Sequence, residues 1–141
     1  MDLSADNSHP LAHQFRRFIS EPVFPCVGAK SALSRGQLSI VIARDICSAW
    51  DDLRIYRALL DFALAYKEDS RLFQSFAVIF AQGQAVSEAV FEGALWSRLQ
   101  SLADKDLWHG QAYDERVSPD PDSPHFSLSF GGEAFFVVGL H

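Results

Sequence analysis

Leu38-Ser39-Ile40-Val41-Ile42-Ala43 alternates Leu38, Ile40 and Ile42 with Ser39, Val41 and Ala43, the two-residue period of a strand. Beyond it Ser48 opens a helix, with Asp51 three residues on in a capping-box-like position. Leu53, Tyr56, Leu60, Ala63 and Leu64 form the apolar stripe of that helix, and Ile55, Leu59 and Phe62 widen it. So broad a stripe implies packing on more than one side. Phe73 to Ala81 is then apolar on both faces, which reads as a strand in the centre of a sheet, and Gly83 breaks it. Strand, helix and strand in this order place the chain among proteins that pack helices on a sheet.

Working outward, residues 1–9 are polar and small and read as a flexible tail. Pro10 suits the first turn of a helix carrying Leu11, Phe15, Phe18 and Ile19 on one face. Pro22 ends it, because the residue before a proline avoids helical geometry. A turn through Phe24 and Pro25 leads into a short helix that Ser34-Arg35-Gly36 closes, glycine suiting a left-handed cap. Ser87 caps a further helix, with Glu88 complementing its dipole, and Val90, Phe91, Ala94, Leu95, Leu99 and Leu102 give its stripe. Trp108 to Pro124 is a long loop, of a length that is often functional. Phe126, Leu128 and Phe130 alternate with Ser127 and Ser129, and Gly131-Gly132 turns the chain into an apolar strand, Ala134–Leu140. The expected fold class is α/β (α+β): a mixed sheet with packed helices and a C-terminal β-hairpin, in a single domain over residues 10–141.

The composition narrows the partners. At 141 residues, with an apolar fraction of 48%, the chain can bury a real core. Its 12 Phe and 3 Trp supply much of that core. A net charge of −6 argues against a nucleic-acid surface, which needs clustered Lys and Arg. The longest apolar runs, Phe76–Ala81 and Ala134–Leu140, fall far short of the roughly 20 residues of a membrane helix. Cys26 and Cys47 make neither a disulfide framework nor a metal-binding pair, and no secretory signal is present, so a cytoplasmic protein with reduced thiols is expected.

Chemistry is sparse. Gly28-Ala29-Lys30-Ser31 looks like the end of a phosphate-binding loop but lacks the required first glycine. Serine-hydrolase and zinc-protease motifs are absent. His9 and His13 have the spacing of a helical metal pair, set against an ordinary frayed terminus. His109, His125 and the neighbouring aspartates match no zinc spacing. His141 differs, because Phe135-Phe136-Val137-Val138 delivers it to a sheet edge among apolar side chains. That setting suits ligation of haem iron, and the plainer alternative is a histidine with no role. Cys26, near a helix start, is either a possible thiolate ligand or an inert interior thiol.

Four blocks in order resemble one family. Phe24-Pro25-Cys26-Val27-Gly28-Ala29-Lys30-Ser31-Ala32-Leu33 is similar to its opening signature, and Leu95-Trp96-Ser97-Arg98-Leu99-Gln100-Ser101-Leu102 to its central helix. Val117-Ser118-Pro119-Asp120-Pro121 and Phe126 through His141 are similar to its longest signature. The family is YqcI/YcgG. The resemblance implies a haem-dependent oxygenase that N-hydroxylates the guanidino group of an arginine-like small molecule, with haem as cofactor. His141 is then the first candidate for the axial ligand and Cys26 the second. A guanidinium needs paired carboxylates, and Asp120, Asp122 and Glu133 are the candidates. Family members continue past the segment that matches Gly139-Leu140-His141, so residues 10–141 read as the N-terminal part of a longer family domain. The alternative is a truncated, non-catalytic α/β domain that acts through a partner or by self-association.

Overall fold

A computed structural model describes residues 6–24, 27–34, 36–70, 74–82 and 86–141. The elements run α1 (Pro10–Ser20), α2 (Val27–Ser34), β1 (Leu38–Ala43), α3 (Asp52–Glu68), β2 (Ser75–Phe80), α4 (Glu88–Trp108), β3 (Leu128–Phe130) and β4 (Glu133–Phe135), after a 3-10 turn at Asp6–Ser8. Helices and small sheets together make the mixed α+β architecture that the sequence predicts. The parallel and antiparallel pairings lie in two two-stranded sheets, β1 with β2 and β3 with β4.

The alternation in β1 is used on both faces. Leu38 and Ile40 are buried with Ala12, Ile19 and Phe24 from the α1 side. Val41 and Ala43 are buried with Ile55, Tyr56, Ala58 and Leu59 of α3, Leu102 of α4 and Phe130 of the hairpin. The β1–β2 sheet is thus the middle layer, and each face removes apolar side chains from water. The register pairs Leu38 with Ser75 and Ala43 with Phe80.

The reading of Phe73–Ala81 expects a central strand; among the described residues β2 pairs with β1 alone, and each of its residues is only half-buried. Apolarity on both faces reflects helices above and below, which an edge strand can also have. The outer edge of β1 is closed. The Ile42 N–H donates to Asp6 Oδ2 at 2.8 Å, and the Arg54 guanidinium donates to the Ile42 carbonyl. Arg54 also lies 3.3 Å from the same Asp6 oxygen. Asp6 is therefore anchored, in a stretch read from sequence as a flexible tail.

Two boundaries move. α3 starts at Asp52 rather than Ser48, with Asp51 as its N-cap residue. Ser48 Oγ accepts from Trp50 N, and the Asp51 carboxylate accepts from Arg44 N, so these groups serve the preceding turn. β4 ends at Phe135, so Ala134–Leu140 is not one strand. On the partner strand Phe126 N donates to Ser123 O, Ser127 N to Ser118 O, and Tyr113 Oη to Ser127 O. Those bonds also fold the long loop, where Ser118 and Phe126 form a parallel bridge. The α4 cap is as expected, Ser87 Oγ accepting from Val90 N.

Candidate functional site

After β4, residues 136–141 run over the first half of α4. Gly139 packs so tightly there that an added Cβ would lie 2.7 Å from Leu95 Cδ2 and 3.3 Å from Phe91. Glycine is needed for close approach rather than for a turn. His141 follows, its ring centroid 5.2 Å from that of Phe91 and its Nε2 2.8 Å from Val86 O. A carbonyl oxygen only accepts, so Nε2 carries the hydrogen in this contact, and a neutral imidazole so held has its lone pair on Nδ1. Val86 directly precedes the N-cap residue of α4, so the imidazole is tied to a helix entrance. Farther along α4, Phe136, Val137, Leu95, Trp96 and Leu99 line an open apolar cavity of about 220 Å³.

The carboxylates predicted to recognise a substrate lie apart. Asp120 and Asp122 are exposed at the tip of the long loop. Asp120 Oδ1 accepts from Asp122 N at 3.0 Å, ordinary turn chemistry. Glu133 faces the other way and holds Arg116 NH2 at 2.9 Å. Arg116 is shared with Asp114, whose two oxygens take its Nε and NH2 at 2.9 and 2.6 Å. This bidentate fork holds the buried Asp114 carboxyl well below its usual range, the Arg116 bonds being the largest cause. The same pairing raises the Arg116 guanidinium. Asp114 also accepts from Ala134 N at 2.8 Å, and Asp114 N donates to Ser129 Oγ at 2.9 Å, so the cluster pins the loop to the hairpin.

A second carboxylate does the same from α4. Asp106 accepts the Tyr56 hydroxyl at 2.7 Å and Gly131 N at 3.0 Å. Burial, followed by that bond to Asp106, pushes the Tyr56 hydroxyl well above its usual value. A charged pair is buried between α3 and α4, Arg98 Nε lying 3.2 Å from Asp52 Oδ1. These groups escape a reading confined to motifs, yet each leaves a trace. Asp52 lies three and four residues before Ile55 and Tyr56. Arg98 lies four before Leu102, and Asp106 four after it. A charge on an apolar stripe signals a buried pair.

Other sequence candidates stay separate. His9 caps α1 and spends Nδ1 on Leu11 N. His109 stands edge-on to Tyr56 at 5.3 Å, and His125 is exposed. Cys26 lies outside the described residues. Among the described residues no group of three or more His, Cys, Asp or Glu side chains is placed to hold a metal ion. No helix among them is long and apolar enough to cross a membrane. The model of the YqcI/YcgG family matches residues 15–141. No curated protein and no solved structure matches the chain.

Proposed function

The chain belongs to the YqcI/YcgG family, and from that premise we propose a haem-dependent oxygenase-like protein that N-hydroxylates the guanidino group of an arginine-like small molecule. The observation that supports this reading is the seating of His141. A metal-ligating histidine ordinarily donates one ring N–H to a carbonyl or carboxylate and offers the other nitrogen to the metal. Nε2 on Val86 O and a free Nδ1 follow that pattern. The ring lies tilted against Phe91, an apolar neighbour of the kind that suits a flat macrocycle.

The donor fits the group, but neither His141 nor Phe91 lines the apolar cavity, so the described residues do not form a pocket around the imidazole. A cavity of about 220 Å³ is smaller than the roughly 300–1,000 Å³ of sites that enclose an organic ligand. Haem, when bound, supplies the oxygen-activating iron. The chain's own part is to fix the axial imidazole and to present carboxylates to a guanidinium. Asp120 and Asp122 are open to solvent for that purpose, whereas Glu133 would first have to release Arg116. Cys47, a free and exposed thiol, is consistent with a reducing cytoplasmic setting.

The test is to supply haem during purification and record the visible spectrum. A Soret band is expected for the wild type, with loss or displacement in His141→Ala and restoration by added imidazole. An unchanged band in His141→Ala removes that residue from the role and turns attention to Cys26→Ser. No band at all overturns the cofactor. Incubation of the loaded protein with arginine, reductant and oxygen then reads the reaction as an N-hydroxyguanidine product by mass spectrometry.

A second reading, a non-catalytic domain acting through a partner or self-association, is favoured by one observation. Phe136 is 91% exposed, and Val138 and Leu140 are exposed beside it. Such a run of apolar surface is unusual unless something covers it.

A further inference from the structure

We propose that Gly139 is the positioning residue of His141: the side chain missing at this point lets residues 136–141 lie close enough on α4 for the imidazole to reach the Val86 carbonyl. The inference rests on the reading of His141 as a ligand and deepens it, by assigning what holds the ring in place.

The helix supplies the track. Phe91 and Leu95 stand four residues apart, so their side chains share one face of α4, one turn after the other. The segment follows that face toward the helix start. Phe136 and Val137 share the apolar cavity with Leu95 and Leu99. Gly139 lies over Leu95 and Phe91, and His141 meets Phe91 and Val86. Val138 and Leu140, on either side of the glycine, are 47% and 45% exposed. Between them, the position whose Cβ would point at the helix carries none.

Distances decide what a methyl group would do here. An added Cβ would lie 2.7 Å from Leu95 Cδ2, 3.3 Å from Phe91 Cε1 and 3.6 Å from Phe91 Cζ. Carbon atoms in contact settle at about 3.5–4.0 Å, so segment and helix must part by about 1 Å or the side chains must yield. Leu95 borders the open cavity and can turn toward it. Phe91 is also the ring against which His141 rests, 5.2 Å between centroids. Either response reaches the imidazole: a lifted segment carries it away, and a displaced Phe91 removes its support. The contact of 2.8 Å with Val86 O has little to spare, since an N–H···O bond extends only to about 3.2 Å. Gly139 is not among the glycines of positive φ, so left-handed strain plays no part and a substitution there tests space.

NMR of the cofactor-free protein tests this. The wild type is expected to show NOEs from the His141 ring protons to Phe91 and Val86. Gly139→Ala is expected to lose them while its melting transition reports that it folds. Leu95→Ala in the same chain removes the closest contact and is expected to restore them. Titrated with haem, Gly139→Ala is expected to bind about 10–100-fold more weakly than the wild type, the loss typical when a ligating histidine loses its holding contact.

NOEs that persist unchanged in Gly139→Ala overturn the proposal, even with a lower melting temperature, because the glycine then serves packing alone. NOEs lost in that variant and not regained with Leu95→Ala overturn it too, since crowding is then not the cause. Should Gly139→Ala not fold, Leu95→Phe narrows the same gap from the helix side, and NOEs that survive it overturn the proposal. A wild type without these NOEs removes the seating itself, and with it the support for His141 as a ligand. NOEs that respond as expected, with no Soret band in any variant, overturn the haem reading and leave the positioning intact.

Discussion

Asp114 carries more of the C-terminal half than its place in an irregular loop suggests. Its carboxylate accepts from Arg116 N, Nε and NH2 and from Ala134 N. Because its oxygens are buried while Arg116 is 72% exposed, the loss in Asp114→Asn falls mainly on the buried side. Removing a charged acceptor from such bonds costs about 1.5–3 kcal/mol, to be read as a lower urea midpoint. The pH dependence follows from the sign of the shift. The folded value lies below the unfolded one, so the unfolded chain takes up the proton first as pH falls. The contribution is complete above the unfolded value of about 3.9 and is lost as pH falls toward the folded one. Urea midpoints measured from neutral pH down to pH ~3 are expected to fall more steeply in the wild type than in Asp114→Asn. Parallel slopes would show that the fork does not persist in solution. Nothing near Asp114 in the chain announces its bonds to Ser129 and Ala134, because those residues reach it only once the hairpin has formed.

The hairpin turn places Gly131 and Gly132 at φ of +60° and +82°, both left-handed. At Gly131 an added Cβ would lie 3.1 Å from Ala63 Cβ and from Leu60 Cδ1, on the buried side of α3. Gly36 has a similar φ of +67° but open space around it. Gly36→Ala is therefore expected to cost only the conformational penalty of about 1–2 kcal/mol. Gly131→Ala adds crowding against a buried helix and strains the N–H bond to Asp106. The two melting temperatures should separate, with Gly131→Ala the lower, and equal values would mean that the turn does not press on α3. Both glycines of the turn, the β1 alternation and the Ser87 cap were legible because each is a local signal. The extent of the last strand was not. Phe136–Leu140 is as β-competent as any strand here, but it leaves the hairpin and runs over α4, where Gly139 packs against Phe91 and Leu95. His141 was singled out by its apolar surroundings, while its anchor on Val86 lies 55 residues away and has no sequence signature. That β2 pairs with β1 alone among the described residues was hidden for a related reason: an apolar run reports what covers its faces and not what borders its sides.

At the scale of the whole molecule, the layers are held by apolar contact across the sheet and by an ion pair buried between α3 and α4. Asp52, at the first turn of α3, is 1% exposed, and Arg98 on α4 lies against it at 3.2 Å while also donating to Ile46 O at 3.2 Å. Neither Asp52 oxygen gains a well-directed hydrogen bond, so attraction between the charges and the positive end of the α3 dipole must offset the cost of removing both from water. Such a pair is costly to break and often cheap to replace. Asp52→Leu or Arg98→Met alone strands the other charge in the interior and is expected to destabilise the protein by about 3–5 kcal/mol. The double variant removes both charges and packs two apolar side chains between the helices, and it is expected to recover most of that loss. Urea unfolding of all four proteins closes the cycle. Additive losses in the double variant would mean that the two charges do not meet, and that α3 and α4 are joined through the Leu59, Leu102 and Phe130 cluster alone. Recovery would identify the pair as a choice of register between the two helices, fixing how α4 sits on α3 and therefore where Val86, just before its N-cap, meets His141.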